Sequence, residues 1–353
     1  MQTFQQSPTD RAFVQNPYAF YARARASGAL VFWQDYGMPA ALTQATVNTI
    51  LRDRRFGREE PAEMRAPVPP ALAPFYAVEA HSMLELEPPR HTRLRSLVLR
   101  AFTSRRIAAL QPEIASLANE LAEALPRGEP FDLLTSFAQP LPVRIIARLL
   151  GVPESMAPEL LRWSNAMVKM YLAQRTPAME AAAVQATEEF VAFLRAYVDE
   201  RRARPADDLI THLIAAEEAG EKLTTDELIT TCILLLNAGH EATVHTIGNG
   251  AKALLQHGAR PEWLAPDRIA ATAEEILRWD PPLHLFTRFA YETVEVAGHT
   301  FQRGDRVALL LGAANRDPRA HDAPDRFDPS RPEPVNLAFG AGLHFCVGAP
   351  LAR

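Results

Sequence analysis

The chain has 353 residues, 48% hydrophobic and 22% charged, with a net charge of -5 at neutral pH. That composition supports a packed core, and its acidic balance excludes a partner held by global positive charge, such as nucleic acid or an anionic membrane surface. Two cysteines, Cys232 and Cys346, exclude a disulfide framework, and the apolar runs at 232–236 and 307–314 are too short to span a bilayer.

In chain order, residues 1–8 carry no basic start followed by an apolar run, so a reduced, cytoplasmic protein is expected. No internal repeat interrupts the pattern. Segments 17–28, 43–53, 90–103, 104–125, 137–150, 155–172, 177–203, 224–257 and 267–279 are rich in Ala, Leu, Glu and Arg, and each is predicted helical. Gly28, Gly128, Gly151 and Gly258 mark helix stops. Thr224 followed by Asp226 and Glu227 predicts a helix start, since a Thr cap and early acids satisfy free amides. Strand signals sit near each end of the chain, at 29–43 and 287–311. Segments 59–88 and 312–338 are Pro-rich and read as irregular. The fold class is mainly α with small sheet regions, and no linker divides 1–353 into separate domains.

Three segments carry chemistry. His240-Glu241-x-x-x-His245 is not the zinc-hydrolase motif, because its histidines are five apart, about 140° round a helix, where the motif needs four. Between Arg90 and Arg106 lie six arginines and no acid. The loop from Phe339 to Leu351 holds Gly340, Gly342, Cys346, Gly348 and Pro350. Its glycines allow a tight turn, Pro350 suits the first turn of a helix, and a cysteine at a helix start has its thiolate favoured by free amides. Gly348 leaves room for a flat ligand, while Phe339 and Phe345 shield the sulfur. An anionic, sheltered sulfur is what a thiolate ligand to haem iron needs.

With Phe339, Gly342, Cys346 and Gly348 in the order Phe-x-x-Gly-x-x-x-Cys-x-Gly, the chain resembles the cytochrome P-450 superfamily, in particular its soluble bacterial members. Glu275-Ile276-Leu277-Arg278, Asn315-Arg316-Asp317-Pro318 and Phe327-Asp328-Pro329-Ser330-Arg331 are similar to further motifs of that family, and the resemblance covers essentially the whole chain. It implies a single P-450 domain over 1–353, a helical bundle around haem b, ending inside the helix after the ligand loop. On that resemblance, the chain would lack the family's usual C-terminal segment. Cys346 would be the iron ligand, and Ala238, Phe339, Gly340 and Gly348 would lie against the haem. His91 and Arg95 would serve one propionate side, with Arg288 and His344 on the other. Glu275, Arg278 and Arg331 would form a buried structural network.

Segment 224–257 is similar to the family's long helix over the haem. At about 100° per residue, Leu234, Leu235, Ala238, Glu241, Ala242, His245 and Asn249 share one face. Ala242 stands where most relatives carry a threonine that manages protons, and Thr243 lies on the opposite side. Proton delivery would therefore fall to Glu241 and His245. The resemblance implies a monooxygenase acting on a mostly apolar small molecule beneath lid segments 59–88 and 153–190. Its electrons would come from NAD(P)H through a ferredoxin docked on Arg93, Arg100, Arg105 and Arg106. Ala242 motivates a peroxide-driven alternative, and the short C-terminus a non-catalytic one.

Overall fold

A computed structural model describes residues 1–172, 174–218, 220–332 and 336–353. The chain divides into two compact units. The first comprises residues 1–65 and 246–349 with Arg353, and the second comprises 66–245 with 350–352.

The first unit is built on a six-stranded sheet. Leu30–Trp33 and Met38–Ala41 pair antiparallel across a left-handed Gly37. Met38–Ala41 then pairs in parallel with Arg306–Leu310, which runs antiparallel to Leu285–Ala290. The sequence pattern suggests separate sheet regions at the two ends of the chain; instead these strands join into one sheet. Periodicity shows that a strand exists but not which partner it takes. Two-residue strands at Thr3–Phe4 and Phe56–Gly57 close its edges. Alternation puts Val31, Ala40, Ala308 and Leu310 on one face, against Phe20, Tyr21 and Trp33. Leu30, Ala41, Val307 and Leu309 face the other way, with Val47, Ile50 and Phe301.

The second unit is helical. Arg90–Ala101, Ser104–Glu123, Pro140–Leu150, Ala157–Met167 and Pro177–Ala203 match the expected segments to within a few residues. Gly151 ends Pro140–Leu150 in the left-handed region at φ 83°, and an added Cβ there would strike Asp208 at 2.3 Å. The irregular stretch 59–88 contains a short helix, Ala73–Glu79, and Leu209–Ala215 is another helix without a sequence signal. Both are seven residues long, too short for periodicity to register. The long helix Thr225–Gln256 opens with the expected cap made reciprocal: Glu227 N–H donates to Thr224 Oγ1 at 3.2 Å, and Thr224 N–H donates to Glu227 Oε2 at 2.9 Å. Its residues up to His245 belong to the second unit. No helix among the described residues is long and apolar enough to cross a membrane.

Candidate functional site

In the first unit, the Cys346 loop is fixed by its own backbone. Gly340 N–H donates to Leu337 O at 2.8 Å, Phe345 N–H to Gly342 O at 3.1 Å and Cys346 N–H to Phe339 O at 3.0 Å. Gly340 and Gly342 both sit at φ 69°, where only glycine is unstrained. A Cβ on Gly342 would lie 2.4 Å from Leu51 O, so that position demands glycine twice over. Cys346 is exposed and stands three residues before the short helix Ala349–Ala352, whose Ala349 N–H donates to Cys346 O at 3.4 Å. Pro350 lies in the first turn of that helix, and Cys346 stands in the turn that leads into it. A Cβ on Gly348 would lie 3.8 Å from Cys346 Sγ, so the glycine keeps the space beside the sulfur clear. Phe339 and Phe345 lie 6.4 Å apart, and Arg353 stacks 4.5 Å over Phe339.

The same unit holds Arg288 and His344. Arg288 is buried on strand Leu285–Ala290, with Nη1 donating to Thr287 O at 2.8 Å. Glu275 and Arg278 are fully buried and bidentate, at 2.6 and 2.7 Å, and Arg331 Nε approaches Glu275 Oε1 at 3.3 Å. Arg278 also donates to the carbonyls of Asn315, Pro324 and Arg326, and Asp328 N–H donates to Glu275 Oε1 at 2.7 Å. The three charges therefore fasten the Pro-rich segment to helix Ile269–Trp279.

In the second unit, the long helix separates two faces cleanly. Cys232, Ile233, Leu236, Asn237, His240 and Val244 are buried, whereas Ala238 and His245 are exposed and Leu234, Leu235, Glu241 and Ala242 partly so. The accessible face is the one the 100° spacing selects. Glu241 Oε2 lies 3.2 Å from His245 Nε2. That hydrogen bond, outweighing burial, holds the Glu241 carboxyl below its ordinary range, with His240 and Lys169 adding to it. Lys169 comes from the turn Val168–Tyr171, and no local sequence signal links it to an acid seventy residues on. Thr243 Oγ1 donates to Gly239 O at 2.7 Å, so its hydroxyl is spent on the helix backbone. His91 and Arg95, four apart on helix Arg90–Ala101, share a face, His91 being buried. Of the arginines expected to dock a partner, Arg93 is ion-paired with Glu227 and, at 3.3 Å, with Glu221, while Arg106 is paired with Asp207 at 2.7 Å. Counting charges along one segment missed these acids because they arrive from distant segments.

The chain matches the family model "Cytochrome P450" over residues 57–258 and 269–353. It is 38% identical to cytochrome P450 monooxygenase PikC of Streptomyces venezuelae, across 97% of this chain and 81% of that protein. It is 39% identical to the erythromycin C-12 hydroxylase of Saccharopolyspora erythraea, across 91% of this chain and 80% of the hydroxylase. The chain belongs to the cytochrome P450 family. The fold agrees: P450BioI, solved with hexadec-9Z-enoic acid ligated acyl carrier protein, superposes with a TM-score of 0.90 at 33% identity, covering 97% of this chain and 88% of that one.

As a cytochrome P450 the chain is an oxidoreductase whose family binds haem b. The donor set fits that group: an accessible thiol with clear space beside it, and cationic Arg288 in the same unit. The other cysteine does not fit, since burial pushes the Cys232 thiol up to about 12. Within the second unit, segments 59–88 and 153–190 line an open groove of about 610 Å³, with Leu72, Tyr76, Arg175, Glu180, Val184 and Glu188 at its wall. Phe75, Met83, Met167 and Met170 of these segments are buried.

Proposed function

We propose that the chain is a haem-thiolate monooxygenase that inserts one oxygen atom of dioxygen into a mostly apolar organic substrate, with Cys346 as the iron ligand. The accessible Cys346 sulfur, on a loop whose conformation only glycine at 340 and 342 can adopt, carries this reading. Haem, when bound, supplies the iron at which dioxygen is activated. The chain's part is then physical. Cys346 offers an anionic sulfur, and the loop amides hold its backbone in one geometry. Arg95, Arg288, His91 and His344 supply donors for the two propionates. Ala238 and Ala242 keep the accessible face of the long helix low, so that a substrate can approach.

Glu241 is the group that relays protons, taking each up and passing it on. It is ionised, partly buried, and kept in place by His245 at 3.2 Å. Ala242 has no hydroxyl and that of Thr243 is engaged, so no alcohol of this turn shares the task. Electrons reach the protein from NAD(P)H through a ferredoxin, which docks on the exposed arginines of segment 90–106. Ala242 also favours a second reading, turnover driven by peroxide, which brings its own protons. Turnover with peroxide but not with ferredoxin distinguishes it.

The test of the assignment is spectroscopic. The reduced, carbon monoxide-bound wild type should show the strongly red-shifted Soret band of a thiolate ligand. Cys346→Ser should lose that band and Cys232→Ser should keep it. A red-shifted band in Cys346→Ser would remove the assignment.

A further inference from the structure

The geometry points to Tyr21 as a redox-active tyrosine, one that surrenders an electron to a strong one-electron oxidant and its phenolic proton to His284 in the same event. All the residues concerned lie in the first unit. Tyr18 and Tyr21 share helix Tyr18–Ala26, and each phenol is matched with a base. Tyr18 Oη lies 2.6 Å from Asp280 Oδ1 and 2.8 Å from Trp279 O. Tyr21 Oη lies 3.2 Å from His284 Nδ1, and His284 Nε2 lies 3.3 Å from Asp280 Oδ1. A carboxylate can only accept, so the Nε2 side of the ring carries the hydrogen given to Asp280. In the neutral ring Nδ1 is then the bare nitrogen, and the Tyr21 hydroxyl donates to it. Gly312 makes room for this ring edge, since a Cβ there would stand 2.6 Å from His284 Nδ1.

This arrangement goes beyond packing. Apolar contact accounts for the rings of the cluster, but not for a base on each phenol and a carboxylate behind the imidazole. Burial pushes the Tyr21 hydroxyl far up its range, which closes the route of losing the proton first to water. Oxidation therefore needs a local acceptor, and His284 supplies it. The balance is simple: Tyr21 gives one electron to the oxidant and one proton to Nδ1. A neutral tyrosyl radical is left beside an imidazolium whose charge Asp280 offsets. On the function proposed above, haem when bound would supply an oxidant of the required class.

The surroundings select Tyr21 over its neighbours. The Arg316 guanidinium stacks 3.3 Å from the Tyr18 ring centre and 3.5 Å from that of Trp279. A cation over a ring opposes removal of an electron from it. Among the described residues no cation stacks on Tyr21. A path for the returning electron is also present. Phe20 lies 6.1 Å from Tyr21 and 5.0 Å from Trp33, and Trp33 lies 4.7 Å from Tyr36. Tyr36 is only partly buried, so a reductant in solution can reach it.

The experiment uses the full chain and photogenerated tris(bipyridine)ruthenium(III) as the oxidant, with paramagnetic resonance of samples frozen after the radicals of exposed tyrosines have decayed. Wild type and Tyr171→Phe, which lacks an exposed phenol, should hold a long-lived tyrosyl signal of equal size. Tyr21→Phe deletes one hydroxyl and keeps the ring, and it should lower the signal by an order of magnitude. Gly312→Ala, which displaces His284 and keeps Tyr21, should do the same. A signal that survives in Tyr21→Phe, or a wild type that holds none, overturns the proposal.

Discussion

At the scale of single residues, Glu241 and Thr243 illustrate how a hydrogen bond decides a role. Thr243 donates its hydroxyl hydrogen bond to Gly239 O, whereas the Glu241 carboxylate pairs with His245 on the accessible face. Glu241→Gln should lower product formation by about 10²-fold, the low end for a positioned proton carrier, and divert electrons to hydrogen peroxide. Thr243→Ala should leave coupling between electron use and product unchanged. Measuring the ratio of peroxide to product for both variants checks this, and uncoupling by Thr243→Ala alone would reverse the assignment. Glu275 is the residue on which the buried charges depend. Removing its charge leaves Arg278 buried with no counter-ion, so Glu275→Gln should cost about 3–5 kcal/mol of unfolding free energy. Denaturant titration reads that loss directly, and a cost below 1 kcal/mol would show that the carbonyls around Arg278 suffice by themselves.

At the scale of elements, Glu189 ties helix Pro177–Ala203 to helix Ala157–Met167. It accepts from Arg162 at 2.5 Å, from Trp163 Nε1 at 2.8 Å and from Gln185 at 2.8 Å. These bonds, Arg162 first, pull its carboxyl down from 4.5 to about 2. A carboxyl lowered in the folded state stabilises above its unfolded value and loses that contribution as pH falls through the folded one. The destabilisation caused by Glu189→Gln should therefore be present at neutral pH and disappear between pH 4.5 and about 2. Thermal unfolding of wild type and variant across that interval tests it; a difference independent of pH would mean that Glu189 acts through packing. Trp163 also stacks on Phe190 at 4.9 Å, so the apolar half of this helix contact persists when the charge is gone.

At the scale of the whole molecule, charge acts through what is left unpaired. Six arginines in segment 90–106 suggest a strongly positive face, but Glu221, Glu227 and Asp207 neutralise part of it. Arg105, exposed on helix Ser104–Glu123, belongs to the docking surface proposed above, while Arg93 serves the fold. Reduction by a ferredoxin should slow as salt rises, since exposed charges are screened beyond about 10 Å at 0.1 M. Arg105→Glu should slow that reduction and leave the unfolding midpoint in place, whereas Arg93→Glu should lower the midpoint. Stopped-flow reduction and thermal melts separate the two, and a salt-independent rate argues against a charged dock.

The sequence by itself determined the longer helices and the chemistry of the loop. Helical periodicity is local, so Thr225–Gln256 and its accessible face around Ala238 and Glu241 follow from spacing, and the cap at Thr224 from residue type. The Gly–Cys–Gly–Pro pattern likewise demands a tight turn around a sulfur. Only the tertiary structure decided which partners meet. The strands at 30–41 and 285–310 form one sheet because a parallel ladder joins segments far apart in the chain, and no local pattern encodes that register. Lys169 near Glu241, Glu227 on Arg93 and the Tyr21–His284–Asp280 chain arise in the same way. A side chain's type is written in the sequence, but its charge state and its hydrogen bonds depend on groups brought to it from elsewhere by folding.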